Sequence, residues 1–236
     1  MIRRAIISWV AILSVASSVK AADSRQIQAA IDRAKAFLYA QQNNQGTWES
    51  SPAPQLNKQP WEPTGGQWGG VTALATYSLL ASGDRPRDAH VARAIEFLKS
   101  ADIRGVYALA MRAQVWGYLP ADASTRQAIQ RDGKLLLAAM QPAGPASGMY
   151  GYLTPSAADD VNHLFDHSVS QYGVLGIWAL EEAGLEVPDR FWSIADSAWR
   201  RQQLPDGGWS YYAQPQSGYP ETVTLTAAGV ASLFLS

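Results

Sequence analysis

The polar side chains best suited to chemistry crowd into one short stretch: Asp159, Asp160, His163, Asp166, His167 and Ser168. His163 and His167 are spaced i, i+4, so on a helix both imidazoles would share one face. His163-Leu164-Phe165-Asp166-His167 approximates the inverted zincin pattern His-x-x-Glu-His, with aspartate in place of glutamate. With Asp159 as third ligand, such a face would hold zinc. Leu164 and Phe165, however, stand just before an apolar helix and favour a loop over a ligand helix, so no metal and no cofactor is assigned. Two readings remain. In one, Asp166 or Ser168 caps the following helix and the other polar groups face water. In the other the cluster is a ligand site, because free N–H groups and positive dipole ends gather where helices begin.

Aromatic and carboxylate residues recur ahead of the other apolar segments: Trp61-Glu62, Gln67-Trp68, Arg104, Tyr107, Tyr219 and Glu221. Together with Tyr150, Tyr152, Gln171 and Tyr172 they would ring a common mouth, an apolar floor with a few convergent polar groups. The expected ligand-binding residues are therefore Glu62, Trp68, Tyr150, Tyr152, His167, Gln171 and Tyr172. Asp160, Asp166 and Glu221 are the carboxylates available for catalysis. Aromatic platforms with paired carboxylates would also suit a sugar polymer, whose hydrolysis needs one protonated and one ionised carboxyl at a set separation. The glycine-rich run Gly65 to Gly70 follows no strand and carries no lysine, which argues against a phosphate cradle. No Gly-x-Ser-x-Gly elbow is present, and His90 sits beside arginines with no serine partner.

These residues must be positioned by helices, because strand patterns are absent apart from short aromatic stretches such as Tyr150-Gly151-Tyr152. Ile27 to Gln42 has apolar residues at i, i+3, i+4 spacing and stops at the turn-forming run Asn43 to Gly46. Thr72 to Ser82 is different in kind: small and apolar nearly all round, it suits burial on every side. The pair recurs as Val91–Lys99 with Tyr107–Trp116, Thr125–Met140 with Ser170–Glu182, and Trp192–Gln203 with Thr222–Phe234. Gly83 and Gly184 follow two of the apolar members, as left-handed caps would. Mixed helices with one face in water, packed around apolar ones, make an outer and an inner ring of stacked hairpins.

The tryptophans mark the same repeat. Gln42, Gly46 and Trp48 are matched by Gln203, Gly207 and Trp209, each giving Gln-x3-Gly-x-Trp at the end of an outer helix. The pattern resembles the Gln–Trp repeats of squalene and oxidosqualene cyclases, and of the wider prenyltransferase/terpenoid-cyclase-like α/α toroids. The resemblance in architecture covers about Ile27 to Phe234. It implies an all-α toroid of helical hairpins, here incomplete with about four of them. It also implies that Gln42 and Gln203 tie helix ends while Trp48 and Trp209 stack against them as scaffold. An indole buried for its large apolar area fits that role.

The catalytic signatures of that family are missing. The Asp-x-Asp-Asp acid of class II cyclases has its nearest counterpart in Ala157-Ala158-Asp159-Asp160, which lacks the first aspartate. The class I Asp-Asp-x-x-Asp metal motif fails because Asp159-Asp160-Val161-Asn162 runs into His163. The zinc site of protein prenyltransferases and the thioester of complement-type toroids both need a cysteine, and the chain has none. That absence also excludes disulfides, thiol nucleophiles and a lipidated cysteine.

In its 236 residues, 47% are hydrophobic and 10% aromatic, enough for a globular core and unlike a disordered chain. A formal net charge of −1 provides no field for nucleic acid or acidic lipid. Arg3-Arg4, the apolar stretch Ala5 to Ala16 and Val19-Lys20-Ala21 read as a signal peptide over 1–21, leaving 22–236 as the toroid domain. The apolar stretch is shorter than the ~20 residues of a membrane span. A periplasmic or secreted protein is expected. Its expected role is binding of an extended apolar, isoprenoid or polymeric (glycan) ligand in a central cavity, with a terpenoid-cyclase-like or carbohydrate-active enzyme as the alternative. Four hairpins are too few to close a ring in that family. A protein partner or the further hairpins of a longer chain would cover the open edge.

Overall fold

The computed structural model describes residues 23–155, 165–212 and 219–236. The described residues form eight helices: α1 (Ser24–Gln41), α2 (Gly70–Ala81), α3 (Ala89–Ser100), α4 (Val106–Trp116), α5 (Ala123–Ala139), α6 (His167–Glu182), α7 (Asp189–Gln202) and α8 (Val223–Leu235). All eight lie where the periodicity placed them, shifted by a turn or less. The chain is all-α. The expected signal peptide and the residues Asp159, Asp160 and His163 lie outside the described residues.

Local chemistry sets the helix ends. Asp23 and Gln26 form a reciprocal capping box on α1. Asp122 accepts from Thr125 N at 2.7 Å on α5, and Thr222 accepts from Leu225 N at 3.2 Å on α8. Gly83 and Gly184 follow α2 and α6 at positive φ, as expected.

The apolar helices form a continuous row in which α2 packs on α4, α4 on α6 and α6 on α8. The amphipathic helices lie behind it, α3 on α2, α5 across α4 and α6, and α7 on α8. Small residues allow close approach along the row: Gly176 of α6 lies against Ala110 of α4, with no room for a Cβ to enter freely. The core includes Leu79, Leu109, Trp116, Leu136, Val174 and Ile177. Within it lies a fully buried ion pair, Arg112 of α4 with Asp132 of α5. Arg112 Nη2 and Nε reach the two carboxylate oxygens at 2.6 and 2.9 Å, and Trp116 Nε1 donates to Asp132 at 2.8 Å.

Both Gln–Trp motifs fold alike. Gln42 Nε2 donates to Gly46 O at 2.9 Å and Gln203 Nε2 to Gly207 O at 2.8 Å. Each turn is closed by its glycine in the left-handed region, φ 79° at Gly46 and 93° at Gly207. The Trp48 indole donates to Leu38 O at 2.7 Å, and that of Trp209 to Trp199 O at 3.0 Å. Their backbone N–H groups donate to Thr72 Oγ1 and Thr226 Oγ1 on the paired inner helix. Gln42 is half-buried and Gln203 exposed. They act by tying the turn, not by filling the core.

A third copy carries tyrosine. Tyr150 N donates to Ser170 Oγ on α6 at 2.9 Å, in the manner of Trp48 on Thr72 and Trp209 on Thr226. Its ring lies against Gly173, as that of Trp209 lies against Gly229. Its hydroxyl, lacking the reach of an indole N–H to the outer helix, is buried without a partner among the described residues.

Candidate functional site

Asp166 is the N-cap of α6. One carboxylate oxygen accepts from Val169 N at 2.7 Å, and the other accepts the Tyr152 hydroxyl at 2.5 Å. The Tyr152 hydroxyl also lies 3.1 Å from that of Tyr211. Two loops bring these groups together. Tyr152 is fixed through its carbonyl, which accepts from Val106 N and from Gln67 Nε2, both at 2.9 Å. Gln67 Nε2 also bonds Pro60 O, so one amide ties three segments. Tyr211 and Tyr212 follow the second Gln–Trp motif, and Asp166 pairs backbone to backbone with Tyr212.

The result is a cavity of about 510 Å³ lined by Trp61, Tyr107, Tyr152, Asp166, Tyr211 and Tyr212. Beside it runs a groove of about 330 Å³ that shares Trp61 and Tyr107 and continues over Val71, Leu74, Met111 and Tyr172. Its walls are nearly all apolar. Trp61 and Tyr107 meet Tyr152 with ring centroids 5.8 and 6.0 Å apart, and Tyr107 meets Tyr172 at 4.9 Å. The Tyr107 hydroxyl donates to Ser168 Oγ at 2.8 Å.

Burial pushes the Asp166 carboxyl above the ordinary carboxylate range, against the opposing pull of the Tyr152 hydroxyl and the Val169 N–H. Burial likewise raises Tyr107 and Tyr152 beyond any ordinary working pH. The cavity therefore presents hydroxyls and a carboxyl inclined to keep its proton. This is a hydrogen-bonding head beside an apolar groove.

The expected site residues divide. Asp166, Tyr152 and Tyr172 come together around the cavity and groove. Trp68 is buried elsewhere, its indole donating to Ser51 O at 2.9 Å and its ring set edge-on to Phe97. Tyr150 is core, in the third motif copy. Glu62 accepts from Gln59 N at 3.1 Å and pairs with Lys58, holding its own turn. Gln171 is half-buried on α6 and lines neither space. Glu221 is exposed and pairs through its backbone with Ser210, outside both linings. Asp160 lies outside the described residues. Among those described, Asp166 is the single carboxylate lining the cavity.

His167 is buried beneath this floor. Its Nδ1 lies 2.8 Å from Ser210 O, which makes Nδ1 the donor, and its ring stacks 5.0 Å from Trp199. Burial lowers its proton affinity, against the opposing hydrogen bond to Ser210 O. Nε2 has no partner among the described residues. No group of three or more His, Asp or Glu side chains arranged to hold a metal occurs among the described residues, and two members of the drawn zinc site, Asp159 and His163, lie outside them.

Trp61, Tyr107, Tyr211 and Tyr212 complete the site. The first two had a sequence signal in their place ahead of an apolar helix. Tyr211 and Tyr212 had only their place just after the second Gln–Trp motif. Compared with known proteins, the chain matches no family model, no curated protein and no solved structure.

Proposed function

We propose that this chain is an exported repeat protein of the squalene-cyclase/prenyltransferase-like toroid kind. It binds an elongated, largely apolar ligand, with an uncharged hydroxyl-bearing end at Asp166. One observation carries this reading: the aromatic cavity over Asp166, whose proton affinity burial raises, adjoins an apolar groove with which it shares two walls, Trp61 and Tyr107. An isoprenoid alcohol has both parts, a hydrocarbon body for Val71, Leu74 and Met111 and an OH for the Asp166–Tyr152–Tyr211 group. A glycan would find stacking faces but little to bond along the groove. Titration with a fifteen-carbon isoprenoid alcohol, followed by calorimetry, should show saturable binding weakened about tenfold or more by Trp61→Ala. No binding, or equal binding by Trp61→Ala, would remove the reading; preference for an oligosaccharide would replace it.

The raised carboxyl also favours a second reading, in which Asp166 donates its proton to a bound ligand. Tyr152 would then orient the acid. In that case Asp166→Asn abolishes turnover and leaves ligand affinity within about threefold. If no turnover exists, the variant shifts only the melting temperature.

A further inference from the structure

The two ends of the inner row carry complementary unfilled faces, and the repeat itself states what each face is built to meet. The shared bond from an aromatic residue's N–H to an inner-helix hydroxyl aligns α2, α6 and α8 at Thr72, Ser170 and Thr226. In that register Val223 and Val230 of α8 occupy the places of His167 and Val174 of α6. His167 and Val174 are completely buried on the side of α6 away from Gly176, which faces α4. On that side His167 meets Ser210 O and Trp199 of the following hairpin, whose α8 packs on α6. On α8 the same places are open, Val223 88% and Val230 61% exposed, with Phe234 beside them, and the helix carries no charged residue.

The other end shows the converse. Val71 and Ala81 of α2 take the places of Val169 and Ala179 of α6, both buried toward α4, yet here they are exposed along with Leu74. The outer layer agrees independently. The two Gln–Trp motifs align Phe37 of α1 with Ala198 of α7, which is buried against Gly148 of the preceding hairpin's loop. No hairpin precedes Phe37 among the described residues; it is 65% exposed, and α1 buries none of its residues.

We propose that a second copy of this chain fills both faces: α8 of one copy lies against α2 and α1 of the other, continuing the inner row, and the reciprocal contact closes the pair. The leading and trailing faces are those that already meet between α4, α6 and α8, so the new contact repeats an existing one. One helix face about 20 Å long covers too little area for a stable interface. Two such contacts related by a two-fold axis, each extended onto α1, supply what one does not. Val71 and Leu74 also line the groove, so ligand held there would share that face with this contact; Phe37, Val223, Val230 and Phe234 lie outside the groove, and they test the contact apart from the cavity reading.

Sedimentation of the mature chain across the micromolar range tests it. The expected result is a monomer–dimer equilibrium. Val230→Glu on one face, or Phe37→Glu with Leu74→Glu on the other, should each weaken association by about tenfold or more. All these side chains are exposed, so circular dichroism should remain that of the wild type. A monomer at every concentration would overturn the proposal, as would a ladder of larger species. Undiminished association by the Phe37→Glu, Leu74→Glu chain would overturn it too, since α8 would then be meeting something other than the α1–α2 edge.

Discussion

Trp209 and Asp166 show how a single side chain can serve structure and site together. The Trp209 indole is buried, bonds the end of α7 and covers Gly229 on α8, so it holds the last hairpin shut. Trp209→Ala should cost about 3–5 kcal/mol in denaturant unfolding. A loss under about 0.5 kcal/mol would make it a binding residue instead of scaffold. Asp166 caps α6 and floors the cavity. Because burial raises its carboxyl, the folded state holds that proton more tightly than the unfolded state. Its contribution to stability is therefore present at low pH and falls as pH rises from the ordinary carboxylate value through the raised one. Asp166→Asn keeps a capping side chain and removes the titration. Wild-type stability relative to this variant should decline as pH rises from the ordinary carboxylate range, about pH 4, upward, measured by urea unfolding at each pH. A difference constant over that range would mean the carboxyl is not perturbed.

At the scale of elements, the Arg112–Asp132 pair joins α4 to α5 in the core. Asp132→Ala would strand a buried guanidinium and the Trp116 indole N–H, and should cost about 3–5 kcal/mol in thermal or urea unfolding. A cost near that of a surface pair, under about 1 kcal/mol, would show that water reaches the site. The helices were legible in the sequence because an outer helix with one wet face and an inner helix apolar all round leave different periodic patterns. Arg112 was the anomaly in that pattern, a lone charge in an apolar inner helix, and it could have been read as needing a buried partner. The site was only half legible. Asp166 was readable as a cap because helix starts obey local rules. Trp68, Tyr150 and Tyr152 sit on loops, where spacing does not say which way a side chain points, and the fold turned the first two inward and the third to the cavity. Tyr150 stands in a tryptophan's slot, and the spacing of its turn differs from Gln-x3-Gly-x-Trp, which hid the third copy.

Across the whole molecule, four hairpins build a row with a cavity at the starts of the inner helices and apolar faces at both ends. No described helix is long and apolar enough to cross a membrane. The hydrogen-bonding head and the apolar groove beside it make ligand capture the central claim. Native mass spectrometry of the chain from Ala22 onward, purified without detergent or chelator, tests it most directly. The account predicts a co-purified hydroxyl-bearing hydrocarbon, retained by the wild type and lost from Trp61→Ala. A wild-type chain that arrives empty and takes up no isoprenoid alcohol when one is supplied would contradict it.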